Sequence, residues 1–403
     1  MIFARLRALL GPAAVDRDAD NVPRVTPDST DALALVCRLA YDEGWKIRVE
    51  GLGSWLPADA PADLAVSTRA LDEIVSVNPA DLVATVQAGA SLDAVRRRLA
   101  EHGMWLAVDP PGRPERTLGS VIATGTSGPL RHGFGPVRDH ILGCTVVTGD
   151  GRVVKPGARV VKNVAGYDLT KLHVGSFGGF GILTEAHLRL RAAPRADVTL
   201  VSHGSRDSLT AAARDLLEAH IAPAALELVS PALASESDWV LAARFLGVDA
   251  AVQADVRRLP TETEAVWEQL PSDRTAAFWA LLARGSLGGT ITFRLGVLAY
   301  GLDDTLDLLA HDLDDGLIAA GAGSGSLRWA GDAPIERLRA VRRATAAREI
   351  PMTLERAPWA VRRALGHFGA YREGLGPLVD RLRDTFDPKQ ALSVALEGSE
   401  TRE

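Results

Sequence analysis

Lys162–Leu190 reads KNVAGYDLTKLHVGSFGGFGILTEAHLRL and joins two kinds of chain. Asn163–Leu172 is polar and turn-like, with one aromatic, Tyr167. Gly175–Gly181 then places four glycines in seven residues. It runs directly into Ile182–Leu190, whose alternation of apolar and polar residues predicts a half-buried strand. Glycine at that density costs folding entropy. A chain accepts the cost where its backbone must turn with positive φ or lie against something flat or charged. A tight turn between two core strands would satisfy the same pattern.

Two more glycine-dense stretches lie upstream, Thr117–Gly128 (TLGSVIATGTSG) and Glu50–Ser54 (EGLGS). Each adjoins an apolar run. Together the three fit a bound nucleotide better than three unrelated turns, and a flavin nucleotide offers both a planar ring system and a charged pyrophosphate. In Glu50–Ser54, Gly51 and Gly53 let successive backbone N–H groups converge into an anion-binding concavity. A dinucleotide fingerprint of the GxGxxG kind fails there. The third glycine position is Leu56, and Pro57 stands where a helix should begin.

The chain has 403 residues, enough for two domains, with 47% hydrophobic and 24% charged residues. A large core is therefore available. A formal net charge of −6 argues against a general nucleic-acid binder. The two cysteines, Cys37 and Cys144, sit in apolar runs and read as buried, reduced thiols of a cytoplasmic protein rather than a disulfide framework. No stretch has the roughly 18–20 uninterrupted apolar residues of a membrane span. The opening MIFARLRALL is expected to be a frayed amphipathic helix.

Taken in order, Pro27–Gly44 reads as a helix capped by Thr26 or Ser29, with Leu33, Leu35, Val36, Leu39 and Ala40 as its apolar stripe. Strands are expected at Lys46–Val49, Leu64–Ser67, Ile74–Asn78 and Val83–Ala88, then a helix from Ser91 to His102. Asp109–Gly112 (DPPG) is a rigid loop. Thr117–Gly128 presents small residues where larger ones would block a ligand, and Ile141–Thr148 pairs with Arg152–Lys155 around Asp150-Gly151. Beyond Pro194 strands and helices interleave as in an antiparallel α+β cap, with Ala319–Gly325 reading as a loop.

The order EGLGS, TLGSVIATGTSG, RHGFGPVRDHILG, VVTGDGRVV, GYDLTKL and GSFGGFGILTEAHLRL resembles the FAD-binding domain of the vanillyl-alcohol oxidase / p-cresol methylhydroxylase (PCMH-type) superfamily. VKNVAGYDLTKL and the later TLERAP resemble, within it, the branch of bacterial glycolate oxidase FAD-binding subunits. The resemblance implies an α+β fold: a two-subdomain PCMH-type FAD-binding domain (24–194), an antiparallel α+β cap domain (195–375) and a C-terminal segment (376–397) returning to the first domain.

It also implies site residues. Glu50, Gly51, Leu52, Gly53 and Ser54, with Trp55 beside them, would hold the FAD pyrophosphate. Pro110 and the stretch containing Thr117, Leu118, Gly119, Ser120, Ala123, Thr124, Gly125 and Gly128 would line the ring and diphosphate. His132, Gly133, Gly175, Gly181 and Ile182 would complete the site. The loop lacks the histidine that some members couple to the flavin, so non-covalent FAD is expected.

A flavin dehydrogenase acting on a 2-hydroxy acid needs cations for the carboxylate and a base for the hydroxyl. His132 and Tyr167 are the candidates for the base, each with a structural role as its rival; Lys162 reads as facing solvent or a phosphate. The nine histidines form no ligand-spaced cluster, so no metal is expected. Glu355 and Arg356 read as a pair within the cap, and Arg337, Arg339, Arg342 and Arg343 as the solvated side of a helix. Two functions stay open. One is an FAD oxidoreductase moving a hydride from glycolate, D-lactate or a similar substrate, alone or in a complex, or a stand-alone oxidase of another alcohol. The other is a non-catalytic FAD-carrying or structural subunit. The expected partners are a second flavoprotein and an iron–sulfur subunit, at the inner face of the membrane without a span.

Overall fold

The computed structural model describes residues 2–53, 55, 57–158, 168–313, 316–369 and 374–392. Lys162 and Tyr167 lie outside them, as does Ser54. Three large sheets carry the described residues, with a two-stranded ribbon of Met104–Trp105 and Arg191–Ala192 beside them.

The first is a four-stranded sheet in the order Val15–Arg17, Pro23–Val25, Leu64–Ser67, Ile47–Glu50, whose last three strands run parallel. Its crossover is the helix Thr30–Glu43, capped by Ser29, whose hydroxyl accepts from the Ala32 N–H, and ended by Gly44 in the left-handed region. Leu33, Val36, Cys37 and Ala40 face inward. Leu35, assigned to the stripe from sequence, points outward instead, because it follows Ala34 on the solvent side of the turn. The expected frayed terminus is a docked helix, Ile2–Leu10, with Leu6 fully buried against the same core.

The second sheet is antiparallel and five-stranded: Ser76–Asn78, Val83–Gln87, Ile182–Arg189, Ile141–Val147, Val153–Val154. The strand expected after the glycine run is thus its centre. Thr117–Gly128 is not an open loop. Thr117 caps a short helix, Leu118–Thr124, by accepting from the Ser120 N–H, and Gly125 ends it. Gly119 lies so close to Ala88 that its N–H donates to the Ala88 carbonyl at 2.7 Å. Cys37 and Cys144 are buried free thiols, both pushed up to about 12 by burial.

The third sheet has eight antiparallel strands: Glu268–Gln269, Ala196–Gly204, Trp239–Gly247, Ala225–Val229, Leu317–Gly321, Ser326–Gly331, Ile291–Gly296, Met352–Arg356. Leu317–Gly321, read in part as a loop, is an interior strand. One face, with Leu226, Leu228, Phe293 and Trp329, forms the largest apolar core. Trp329 stacks on Phe293 with ring centroids 5.1 Å apart. The other face meets Ser272–Gly285, a helix not anticipated from sequence, and the glycine-rich half of the chain. The C-terminal turn folds back on the first sheet: the Ile47 N–H donates to Ala391 O at 2.8 Å, and Asp387 accepts from the Ala391 and Leu392 N–H groups at 2.7 Å.

A buried ionic tie joins the large sheet to the rest. Glu355 accepts from Arg328 at 2.8 Å and lies 3.1 Å from Arg294, while Arg328 also donates to Ser127 O at 3.0 Å. The expected Glu355–Arg356 pair does not form. Successive residues of a strand point to opposite sides, and the Arg356 guanidinium goes to Gly289 O. Arg342 is likewise no surface residue; it is buried, donating to Phe368 O and Gly366 O. Although burial pushes the Glu355 carboxyl up, Arg328 and Arg294 outweigh it and hold it below its ordinary value.

That lowered value fixes a sign. The ionised carboxylate stabilises the fold above the unfolded carboxyl pKa of about 4.3, and the contribution is lost as pH falls through the lower folded value. Glu355→Gln should therefore cost roughly 3–5 kcal/mol near neutral pH, since it strands two desolvated guanidinium groups. Denaturant midpoints of both proteins across pH check this. The difference should shrink as the solution is acidified below about pH 4; a gap that stays constant with pH contradicts the account.

Candidate functional site

The parallel strand Ile47–Glu50 ends at a loop that opens one wall of a deep cavity. The cavity encloses about 1080 Å³, counting space open to solvent. Arg48, Glu50, Gly51, Leu52, Gly53 and Trp55 form one side, Gly119, Ser120, Ala123 and Thr124 a second, and Phe177, Gly178, Gly181 and Ile182 a third. Arg362 and His367 close it from the far end of the chain. The three glycine-dense stretches singled out from sequence therefore converge on one space.

The local reasons are steric. A Cβ on Gly51 would lie 2.4 Å from Thr117 Oγ1, so only glycine lets the loop cross the helix cap. Gly53 takes φ of 65° with open space around it, so its demand is conformational rather than steric. The backbone N–H groups of Gly51, Leu52 and Gly53 donate to no protein acceptor among the described residues.

Four buried polar atoms on the same wall also lack a partner: Arg48 Nε, Trp55 Nε1, Arg362 Nε and His367 Nε2. The remaining nitrogens of the two arginines are used. Arg48 donates to Ala60 O at 2.9 Å and pairs with Asp18, and Arg362 pairs with Asp59 at 2.5 Å. His367 Nδ1 lies 2.9 Å from Leu354 O, a contact that needs the proton on Nδ1 and leaves Nε2 an acceptor. Burial pushes the His367 ring down to about 4, so it stays neutral, and it lies 4.4 Å from the Phe177 ring. Burial also raises the Glu50 carboxyl, against Arg48 and Arg24. Beneath Trp55, Arg116 is fully buried. Its guanidinium lies 4.3 Å from the indole centroid and donates to Pro111 O and Thr124 Oγ1.

Other expected residues stand elsewhere. Thr117 is a cap, and Leu118 belongs to the core of the second sheet. Pro110 and Gly125 are not on the wall of this cavity, and Gly125 meets the Gly175 backbone, with which a Cβ would make a 3.0 Å contact. Gly128 abuts the Asp109 backbone and Gly133 that of Ala224. His132 is directed at Gly323 of the large sheet, where a Cβ would lie 2.2 Å from its ring, and burial lowers its pKa.

A smaller cleft, about 350 Å³ when space open to solvent is counted and about 20 Å³ as a closed cavity, lies between Asp109–Pro129 and the large sheet, lined by Asp109, Ser127, Glu227, Ser326 and Arg328 among others. Burial pushes Asp109 up to about 7 and Glu227 up to about 8. Sequence reasoning missed Arg48, Phe177, Arg362 and His367 at the first cavity, Glu227 and Arg328 at the second, and Arg294 beside Glu355. Arg48, one residue before Val49-Glu50, carried the only positional signal. Among the described residues no group of three or more His, Cys, Asp or Glu is placed to hold a metal ion, and no helix is long and apolar enough to cross a membrane.

The chain is similar to several known proteins. Residues 23–157 match the FAD binding domain family. The chain is 32% identical to glycolate oxidase subunit GlcE of Escherichia coli over 64% of its own length and 67% of that protein. Glycolate oxidase subunit GlcD of Bacillus subtilis is 30% identical over 51% of the chain but only 44% of its own length. The mitochondrial D-lactate dehydrogenase [cytochrome] 1 of Saccharomyces cerevisiae is 30% identical over 54% and 40%. The fold superposes on 4-ethylphenol oxidase from Gulosibacter chungangensis with a TM-score of 0.75 at 14% identity, covering 99% of this chain and 97% of that one. The unpaired N–H loop and the glycine-walled cavity fit the cofactor of that family. The chain belongs to the FAD-binding oxidoreductase family that includes the glycolate oxidase subunit GlcE.

Proposed function

We propose that the chain is an FAD-carrying subunit of a glycolate-oxidase-type enzyme acting on a 2-hydroxy acid such as glycolate or D-lactate. The observation that carries this is the loop Gly51–Gly53, whose N–H groups are unpaired among the described residues at the mouth of the glycine-walled cavity. FAD, when bound, supplies the acceptor for the hydride removed from the substrate carbon. The protein's part is to hold and orient. Gly51, Leu52 and Gly53 donate to the pyrophosphate, and Arg48 and Arg362 offset its charge. Trp55 and Phe177 supply flat surfaces, and His367 Nε2 accepts one hydrogen bond from the cofactor. On the substrate side, Arg328 and Arg294, held in place by Glu355, present positive charge to the carboxylate.

With two cysteines in the sequence, both buried, the chain offers no ligand set for an iron–sulfur cluster. Electrons would leave through a second flavoprotein and an iron–sulfur subunit, in a complex at the cytoplasmic face of the membrane. One observation favours a second reading, a non-catalytic FAD carrier. Glu355 already engages both buried arginines, which weakens their pull on a substrate carboxylate.

Three outcomes are expected. Acid precipitation of the holoprotein should leave the yellow colour in the supernatant, as non-covalent binding requires; colour retained by the denatured chain would contradict it. Gly51→Val should strip flavin while sparing the large sheet. The valine Cβ cannot fit against Thr117, so the loop must shift, and each N–H drawn off a phosphate oxygen costs roughly 1.5–3 kcal/mol, about tenfold or more in affinity. The flavin-to-protein absorbance ratio and circular dichroism read the two effects, and full occupancy would place the pyrophosphate elsewhere. Finally, the single chain mixed anaerobically with glycolate or D-lactate should bleach its flavin, slowly in isolation and faster when the subunits that co-purify from its host are added back. No bleaching in either state favours the carrier reading.

A further inference from the structure

The antiparallel register of the large sheet sets up a row of polar and small residues on the face turned toward the glycine-rich half. Glu227 is directly opposite Gly321, and Gly321 is opposite Ser326. Two residues along, on the same face, Ala319 is opposite Arg328 and Arg328 opposite Arg294. Glycine at the centre leaves room for its neighbours: a Cβ on Gly321 would stand 2.1 Å from Ser324 Oγ and 3.0 Å from Glu227 Oε1.

The hydrogen-bonding account of the smaller cavity, which this row lines, is one-sided. Glu227 is 95% buried, at 5% exposure, and its carboxyl makes no hydrogen bond among the described residues. Ser326 Oγ is buried without a partner. Asp109 receives only the Leu130 N–H, at 3.1 Å to each oxygen. Arg328, the cation on the wall, is spent on Glu355 and on Ser127 O. What is left over among the described residues is a carboxyl and a hydroxyl without partners, and no free cation. A buried polar group without a partner is costly, and a carboxylate brought into a cavity whose cation is already paired would be costlier still.

We propose that this cavity is a specificity subsite for the substrate's side group, taking a hydroxyl or ammonium against Glu227 and Ser326 and rejecting a carboxylate. It rests on the 2-hydroxy-acid reading above, because Asp109–Gly112 and Ser127–Gly128, which form its other wall, belong to the segments that resemblance sets beside the flavin ring. Burial lifts both carboxyls toward neutrality, where each can donate as well as accept, as a hydroxyl partner requires. A 2-hydroxy acid with a hydroxymethyl group would fit it better than one ending in methyl or carboxylate.

Three 2-oxo acids, which cannot reduce an oxidised flavin, separate this claim from turnover. They are hydroxypyruvate, pyruvate and 2-oxomalonate, with hydroxymethyl, methyl and carboxylate in the same place. Calorimetric titration of the flavin-loaded chain should give hydroxypyruvate about tenfold or more tighter than 2-oxomalonate, with pyruvate between. Glu227→Gln, which keeps shape and replaces an ionisable carboxyl with amide N–H donors, should admit 2-oxomalonate. Glu227→Ala and Ser326→Ala should each erase the preference for hydroxypyruvate over pyruvate. Equal affinities for the three acids, no binding of any, or a ranking unchanged in Glu227→Gln would each overturn the subsite. Failure of glycolate and D-lactate to bleach the flavin would overturn the functional reading instead, leaving these affinities as a separate result.

Discussion

The close approach of Gly119 to Ala88 is the constraint on which the site depends. A Cβ on Gly119 would lie 2.8 Å from both the Cβ and the carbonyl oxygen of Ala88. Glycine there lets the helix Leu118–Thr124 lie flush on the end of the strand Val83–Gln87, and the helix in turn brings Thr117 under Gly51. Once those two contacts are made, the loop after Ile47–Glu50 and the turn before Ile182–Arg189 have only one place to go, on either side of the same cavity. Its unpaired N–H groups and buried nitrogens are what such packing leaves when a ligand is meant to complete it. The cofactor is thus part of the site's polar inventory.

A second constraint is electrostatic. Arg328, Arg294 and Glu355 meet in the interior between the large sheet and the glycine-rich half, and Arg328 reaches across to Ser127. A buried pair rarely adds net stability over apolar packing, but it is unforgiving of the loss of one member. In the function proposed above, the cluster holds the guanidinium groups that would meet a substrate carboxylate. Glu227 and Asp109, raised by burial, then set the opposite chemical character of the adjoining cavity.

Much of this was legible in the chain. The strand after Gly175–Gly181, the helix capped by Ser29, the Asp150-Gly151 hairpin and the convergence of three glycine-dense stretches all follow from turn chemistry and periodicity. What stayed hidden was hidden for physical reasons. Leu317–Gly321 looks like a loop because its neighbours claim the volume: a Cβ on Gly316 would meet Trp329 Nε1 at 1.6 Å, and Gly321 faces Glu227. Arg116, Arg328, Arg342 and Arg362 look like surface charges, since burial of a guanidinium depends on carbonyls and carboxylates far away in sequence. Arg48 was hidden by alternation. It stands at a strand position where a polar residue predicts solvent, whereas this edge strand is covered on that side and turns it toward the cavity. His367 could not be read at all, for its partner Leu354 and its neighbour Phe177 are brought together only by the tertiary fold.

A crystal structure of the chain with FAD bound tests the central claim most directly. The account predicts the pyrophosphate against the N–H groups of Gly51–Gly53, between Arg48 and Arg362, with the cofactor accepted by His367 Nε2. A cofactor seated elsewhere, with those N–H groups still unpaired, would contradict it.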